Sequence, residues 1–113
     1  MTSPLLEFDL AAEAARMRRE PAWAAGRNAR TLMNFDDFRV VLTTMRPRTR
    51  MSEDTTEGRI SIHLVTGHIL LTAAGRTFDL HPGSLVGLDA RTPYDVEAIE
   101  ESVFLATIAW PGP

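Results

Sequence analysis

An alternation of polar and apolar side chains with a period of two runs through this chain from about residue 30 to its end. Such alternation predicts β-strands, because successive side chains of a strand point to opposite faces of a sheet. Glycines, prolines and acidic pairs interrupt it at short intervals, as turns do. The predicted strands lie near Thr31–Asn34, Phe38–Met45, Arg59–Thr66, His68–Thr72, Arg76–Leu80, Ser84–Leu88, Tyr94–Ile99 and Val103–Trp110. Short strands at this spacing indicate an all-β sandwich or barrel.

The residues before the first predicted strand have the pattern of a short α-helix. Asp9 is a suitable N-cap for a helix that reaches about Glu20, and Pro21 would end it. We therefore divide the chain into an N-terminal helical segment, residues 1–30, and a β-barrel domain, residues 31–113. The helical segment has a narrow apolar stripe, so we expect it to pack on the barrel or on a second subunit.

The composition excludes several kinds of protein. The 113 residues, 44% of them hydrophobic, suffice for one domain with a buried core. The absence of cysteine rules out disulfides, zinc–thiolate sites and a cysteine nucleophile. All 12 basic residues are arginine and the formal net charge is −3, so we do not expect nucleic-acid binding. The sequence shows no membrane span and no export signal, which favours a cytoplasmic protein.

The alternation also predicts which side of the barrel a side chain faces. In the predicted strand Arg59–Thr66, the residues Ile60, Ile62 and Leu64 share one face, which we expect to form the barrel interior. His63 belongs to the opposite face. It is therefore expected outside the barrel, against solvent, the helix or a second subunit.

The chain has three histidines, His63, His68 and His81. They lie near the ends of predicted strands: His63 and His68 flank the glycine turn at residue 67, and His81 precedes the Pro-Gly turn at residues 82 and 83. We expect separate surface or interface residues rather than one constellation. With none predicted inside the barrel, no histidine is available there for acid–base chemistry.

Two segments resemble the conserved motifs of the cupins. The stretch "EDTTEGRISIHLVTGHILL" is similar to the first motif, which ends in a strand and a tight glycine turn, here Gly67. The stretch "RTFDLHPGSLVGLDARTPYDVEA" is similar to the second, in which a Pro-Gly turn, here Pro82 and Gly83, leads into a strand, a short loop and a proline-containing pair.

This resemblance covers roughly residues 40 to 110 and implies a definite fold. It implies a double-stranded β-helix, the jelly-roll barrel of the cupins, to which the N-terminal segment adds a short α-helix. It also implies a homodimer in which two barrels pack sheet to sheet. The helical lead-in resembles that of small stand-alone bacterial cupins.

The family usually holds a divalent metal inside the barrel with three histidines and one glutamate. When the motif spacing is counted back from Gly67, these positions fall on Asp54, Thr56 and Ile60, and the last histidine position falls on Tyr94. The sequence departs from the pattern at all four, since threonine is a poor ligand and isoleucine cannot coordinate a metal. The resemblance thus implies a pocket lined by these residues, and the departure from the ligand pattern predicts that it holds no metal cofactor.

Two functional hypotheses follow. The first is a metal-free cupin that binds a small molecule at Asp54, Thr56, Ile60 and Tyr94, or that serves as a structural or regulatory module, and not an enzyme. In this hypothesis Tyr94 and Asp54 either bind the ligand or fill the core.

The alternative hypothesis is a metal-dependent cupin enzyme of the oxygenase or isomerase type. It would hold iron, manganese, nickel or zinc with Asp54, Tyr94 and His63.

Overall fold

The computed structural model describes residues 5–110, except for the side chains of residues 53 and 54. Within these residues one α-helix and one 3-10 helix precede nine strands. The elements are α1 (Leu10–Met17), the 3-10 helix (Pro21–Ala25), β1 (Arg27–Asn34), β2 (Phe38–Met45), β3 (Arg50–Asp54), β4 (Arg59–Thr66), β5 (Ile69–Ala73), β6 (Arg76–Leu80), β7 (Leu85–Leu88), β8 (Tyr94–Ala98) and β9 (Ser102–Ala109).

The strands form two antiparallel sheets that face each other. One sheet has five strands in the order β1-β2-β9-β4-β7, and the other has four in the order β3-β8-β5-β6. Neighbours such as β2 with β9 and β5 with β8 are far apart in the chain, so the connections cross between the sheets. Crossing connections of this kind make a jelly roll. The predicted all-β architecture with a short N-terminal helix is confirmed.

The strand prediction was wrong in two places near the start of the barrel. Strand β3 was not predicted, because its sequence RMSED lacks an alternating apolar set. It forms by pairing with β8, where Met51 lies opposite Val96. Strand β1 begins at Arg27, four residues before the predicted start, and its first residue pairs with Met45 of β2. In both places backbone pairing with a neighbouring strand stabilises a strand that has no alternating pattern of its own.

The helix begins where the sequence predicted and ends earlier. The side chain of Asp9 caps it by accepting a hydrogen bond from the backbone N–H of Ala12 at 3.1 Å. The last helical residue is Met17, whose carbonyl accepts a hydrogen bond from the Asn28 side chain at 3.0 Å. The same carbonyl accepts a hydrogen bond from the backbone N–H of Glu20 at 3.2 Å, so the chain forms a turn after Met17 and the helix does not reach Glu20.

The helical segment packs on the outer face of the five-stranded sheet of its own chain. Ala14 and Met17 of α1 are buried with Leu42 and Val103, which point outward from β2 and β9. Polar contacts reinforce this packing, because Arg30 of β1 donates hydrogen bonds to carboxylates of the segment. This face of the sheet is thus buried beneath the helix.

The main core lies between the two sheets and has the predicted facing of β4. Ile60, Ile62 and Leu64 are buried in it, whereas His63 between them is only half-buried on the other face. Phe104 of β9 is the largest fully buried side chain among those that the structure describes. The predicted inward and outward positions of this strand are confirmed.

Candidate functional site

A cavity of about 210 Å³ penetrates the barrel between the sheets. Its walls are mainly apolar and come from both sheets. The apolar lining includes Met51, Ile60, Phe104, Ala106 and Ile108. A concave, mostly apolar space with few polar groups is the usual form of a small-molecule site.

Four polar side chains also line the cavity: Arg27, Thr43, Thr56 and Tyr94. Tyr94 begins β8 and is 4% exposed, so its ring belongs to the core. The hydroxyl of Thr56 donates a hydrogen bond to the carbonyl of Gly58 at 2.7 Å, which fixes that side chain in the loop after β3. Thr43 of β2 is buried on the inner face of the sheet. Hydroxyl groups therefore lie at several points of an apolar wall.

Arg27 is a cavity residue that the sequence analysis missed. It is exposed, as is Ala29 two positions later, and both line the cavity from β1. Their partners on β2, Met45 and Thr43, face the barrel interior. The cavity thus opens to solvent along the inner face of β1. The signal was weak in the sequence because β1 has few apolar residues in its first half.

The structure brings three of the predicted pocket residues together. Thr56, Ile60 and Tyr94 line this one cavity, although they come from a loop and two different sheets. The backbone of Asp54 pairs directly with that of Tyr94, whereas the side chain of Asp54 lies outside the described part of the structure. That these residues bind a ligand stays a prediction.

The donor set of the cavity does not fit the metal of the cupin pattern. Among the side chains that the structure describes, those lining the cavity include no imidazole and no carboxylate. Hydroxyl groups, one guanidinium group and hydrocarbon are a poor set for iron, nickel, manganese or zinc. We therefore derive no chemistry from a metal inside the barrel.

The structure also separates the alternative ligand set that included His63. Side chains of alternate residues in a strand point to opposite faces, and Ile62 and Leu64 on either side of His63 point into the core. His63 therefore lies on the outer face, while Tyr94 lines the cavity. The five-stranded sheet therefore lies between His63 and Tyr94, which does not favour the two as ligands of one ion.

The sequence analysis expected the other two histidines to be separate surface residues, but the structure places them together. The rings of His68 and His81 stack with their centroids 4.5 Å apart, and the carboxylate of Asp79 contacts both. The hydrogen bond from His68 is the main cause that lowers the pKa of Asp79 below its usual value. Two histidines and one carboxylate thus form a cluster, the His-Asp-His cluster, on the outer face of the four-stranded sheet.

A signal for this cluster was present in the sequence. The two-residue turn between β5 and β6, Ala74 and Gly75, has positive φ angles of 50° and 75°, as in a tight hairpin. Such a turn pairs residue 73 with residue 76, and continued counting brings residue 68 opposite residue 81. Spacing along the chain alone had made these two histidines look unrelated.

In residues 5–110, no helix is long and apolar enough to cross a membrane. The only α-helix described there, α1, has eight residues.

No protein-family model matches this chain, and no curated protein matches it. Its structure is similar to that of a conserved protein of unknown function from Streptococcus pyogenes, with a TM-score of 0.76 and 15% identity over 100% of this chain and 93% of that one. It is also similar to a cupin superfamily protein from Desulfitobacterium hafniense, with a TM-score of 0.72 and 15% identity over 75% of this chain and 78% of that one.

A larger protein contains the same fold. The chain matches 33% of a salicylate 1,2-dioxygenase from Pseudaminobacter salicylatoxidans, with a TM-score of 0.78 and 14% identity over 87% of this chain. At these identities the likeness concerns the fold alone. The chain therefore has the cupin fold, as its two motifs predicted.

Proposed function

We propose that this protein binds a small molecule with an apolar body and one anionic group inside the barrel, without a metal. The observation that carries the proposal is the cavity of about 210 Å³, whose apolar walls lead to Arg27 at its solvent side. Sites for drug-sized ligands usually measure roughly 300–1,000 Å³, so the ligand would be smaller than those.

Arg27 is the group that would select an anion. It forms no ion pair with any acidic side chain that the structure describes. A guanidinium group matches carboxylate and phosphate oxygens with two parallel hydrogen bonds. A ligand whose hydrocarbon part contacts Ile60 and Phe104 could place a carboxylate at Arg27, with the hydroxyl groups of the wall beside it.

One similar structure is consistent with a ligand of this class. The salicylate 1,2-dioxygenase was also crystallised as adducts with gentisate. Both names denote small aromatic carboxylates. This supports testing such compounds first on the present chain.

The test is calorimetric titration with benzoate, salicylate and gentisate, and with benzyl alcohol as the uncharged analogue. We expect the carboxylates to bind and the alcohol to bind at least about tenfold more weakly, a difference of about 1.4 kcal/mol. Arg27→Ala should remove this preference. Arg76→Ala is the matched control, because Arg76 lies on β6, stacks on Phe78 and does not line the cavity.

Two results would overturn the proposal. One is that none of the carboxylates, nor small phosphate esters tested in the same way, binds the protein. The other is that Arg27→Ala binds the carboxylates as well as the unchanged chain does, because the anion would then lie elsewhere.

The metal-dependent enzyme remains the alternative, and metal analysis separates it from the proposal. Because two histidines cluster outside the barrel, the measurement should use the double variant His68→Gln/His81→Gln. Stoichiometric iron, manganese, nickel or zinc retained by this variant after dialysis would favour a metal in the barrel and therefore the enzyme. Metal-free protein that still binds carboxylates would favour the binding function.

We also propose that the protein is a cytoplasmic homodimer that takes no part in nucleic-acid binding. Large apolar side chains are exposed on its surface, among them Phe35 and Leu85. They are compatible with a subunit interface. Light scattering coupled to size exclusion would report the mass directly, and a monomer at all concentrations would exclude the dimer.

A further inference from the structure

Outside the barrel, the hairpin of β5 and β6 places two imidazoles against each other. Ile69 and Leu80 are the last paired residues at its open end, so His68 and His81 lie opposite each other one position beyond. Side chains at opposite positions of an antiparallel pair share one face and lie close together. The two rings stack at 4.5 Å with an angle of 22° between their planes.

Asp79 completes the cluster from the same strand as His81. It stands two residues earlier, so it shares the outer face of the sheet, while Leu80 between them points into the core. Its Oδ1 lies 2.5 Å from Nε2 of His68, and its Oδ2 lies 3.6 Å from Nε2 of His81. One ligand atom from each of the three residues lies within 4.8 Å of the other two.

The backbone that carries His68 is held firmly in place. The fully buried hydroxyl of Ser102 accepts a hydrogen bond from the backbone N–H of His68 at 3.0 Å. Gly67 before it has φ +96°, and a Cβ there would lie 2.3 Å from the same hydroxyl oxygen. A left-handed backbone packed this closely requires glycine. The position of His68 is therefore set by the start of β9.

The backbone of His81 is fixed by the turn that follows it. Its N–H donates a hydrogen bond to the side-chain oxygen of Ser84 at 3.1 Å, and the N–H of Ser84 donates to the carbonyl of His81 at 2.9 Å. Both histidines thus stand on backbone that is already ordered. A site built on ordered backbone loses little conformational entropy when it binds an ion.

We propose that His68, Asp79 and His81 bind one divalent transition-metal ion, of which zinc is the representative, on the outer face of the four-stranded sheet. Bonds of about 2.0–2.1 Å in a tetrahedral arrangement hold ligand atoms about 3.3 Å apart. The separations of 2.5 and 3.6 Å between the carboxylate and the two imidazoles lie on either side of that value. The ion would replace the proton that joins His68 to Asp79.

The ligand set also determines which ions are expected. Imidazole suits zinc, cobalt, nickel and copper, whereas magnesium and calcium prefer sites made of oxygen ligands alone. Three protein ligands leave one tetrahedral position to water or to an outside group. The side chains of Asp79 and His81 are each 62% exposed, so that position faces solvent.

The competing interpretation is a hydrogen-bonded clip that ties the edge strand β6 to β5 without any ion. The two interpretations differ in stoichiometry. A clip binds no zinc, whereas a metal site binds one ion per chain and loses it when either imidazole is removed.

The experiment is calorimetric titration of the untagged full chain with zinc chloride, followed by cobalt(II) absorption spectroscopy. We expect one zinc per chain, and an affinity at least about tenfold lower in each of His68→Gln and His81→Gln. His63→Gln is the matched control and should bind like the unchanged chain, because His63 lies on the outer face of the other sheet. The cobalt spectrum should show the intense visible bands of four-coordination and lose them in the same two variants.

The proposal is overturned if the unchanged chain shows no saturable zinc binding. It is also overturned if His68→Gln and His81→Gln bind zinc as tightly as His63→Gln does. The result is independent of the small-molecule function. Arg27→Ala, which tests the cavity, should leave the zinc affinity unchanged, so the failure of either proposal can be recognised without the other.

Discussion

The cavity inside the barrel and the His-Asp-His cluster outside it differ in the chemistry of the side chains that they present. Inside, Thr56, Ile60 and Tyr94, which the motif spacing predicts at ligand positions of the cupin pattern, line an apolar cavity. Outside, two imidazoles and a carboxylate converge on an exposed sheet face. The fold preserves a position for a site, but the side chains decide what that site can bind.

The two regions also differ in what holds them. The cavity wall is core, and its side chains are packed from both sheets, so a change there alters stability as well as binding. The cluster stands on the surface and depends on the backbone beneath it, which Ser102 and Gly67 fix. The side chains of the cluster can therefore be replaced with little damage to the fold. The predictions below use this difference.

The largest effect is expected at the cavity wall. Tyr94→Ala should lower the free energy of unfolding by about 3 kcal/mol, because it removes a ring that is 4% exposed and leaves a void. Urea denaturation followed by fluorescence or circular dichroism measures this. Tyr94→Phe, which keeps the ring, is the control and should lose less. A near-neutral Tyr94→Ala would mean that the ring is not part of the core.

A second prediction concerns histidines introduced into the barrel at positions 54 and 94. The backbones of residues 54 and 94 pair directly, and positions 68 and 81 lie opposite each other one position beyond the last pair of their hairpin. In a chain that already carries His68→Gln and His81→Gln, adding Asp54→His and Tyr94→His should raise zinc affinity about tenfold, or about 1.4 kcal/mol. Calorimetric titration measures the gain. If none is seen, positions 54 and 94 do not correspond to the ligand positions of the cupin pattern.

A third prediction compares the outer faces of the two sheets, one covered by α1 and one bare. A hydrogen bond from Arg30 is the main cause that lowers the pKa of Glu13, which holds α1 to β1. A carboxyl with a lowered folded-state pKa stabilises the fold above its unfolded pKa, about 4.3, and this contribution disappears as the pH falls through the folded value.

Glu13→Gln should therefore lower the Tm at pH 7 by a small amount and have a shrinking effect below about pH 4.3. Thermal unfolding of both chains between pH 3 and pH 7 tests this. A difference that is constant over the whole range would show that the charge of Glu13 does not contribute.

The smallest effect is expected on the bare face. His81→Gln should change the free energy of unfolding by no more than about 0.5 kcal/mol in the absence of metal, because the side chain is mostly exposed. With saturating zinc the unchanged chain should gain more stability than the variant. Equal gains in both would place the zinc elsewhere.

Local patterns predicted the parts of this fold that depend on one strand at a time. The alternation through Ile60, Ile62 and Leu64 gave the correct face of β4, and the turn residues separated the strands correctly. Motif spacing from Gly67 identified Thr56 and Ile60, and the proline-containing pair identified Tyr94, as residues around one space. Such signals work because face and turn geometry are properties of a short stretch of backbone.

Elements that form only by pairing escaped prediction. Strand β3 and the first half of β1 have no apolar alternation, and they exist because β8 and β2 offer them hydrogen-bonding partners. Arg27 was missed as a cavity residue for that reason. The predicted helix was too long, since α1 ends at Met17, where the side chain of Asn28 from β1 donates a hydrogen bond to the last helical carbonyl.

The sequence by itself determined the class of the fold and the facing of strand β4, and it predicted Thr56, Ile60 and Tyr94 as neighbours. Only the tertiary structure decided that Arg27 stands at the cavity and that His68, Asp79 and His81 meet outside it. The physical reason is that periodicity specifies which way a side chain points. Which strands lie beside each other depends on long-range pairing, and that pairing brings together residues that are distant in the chain.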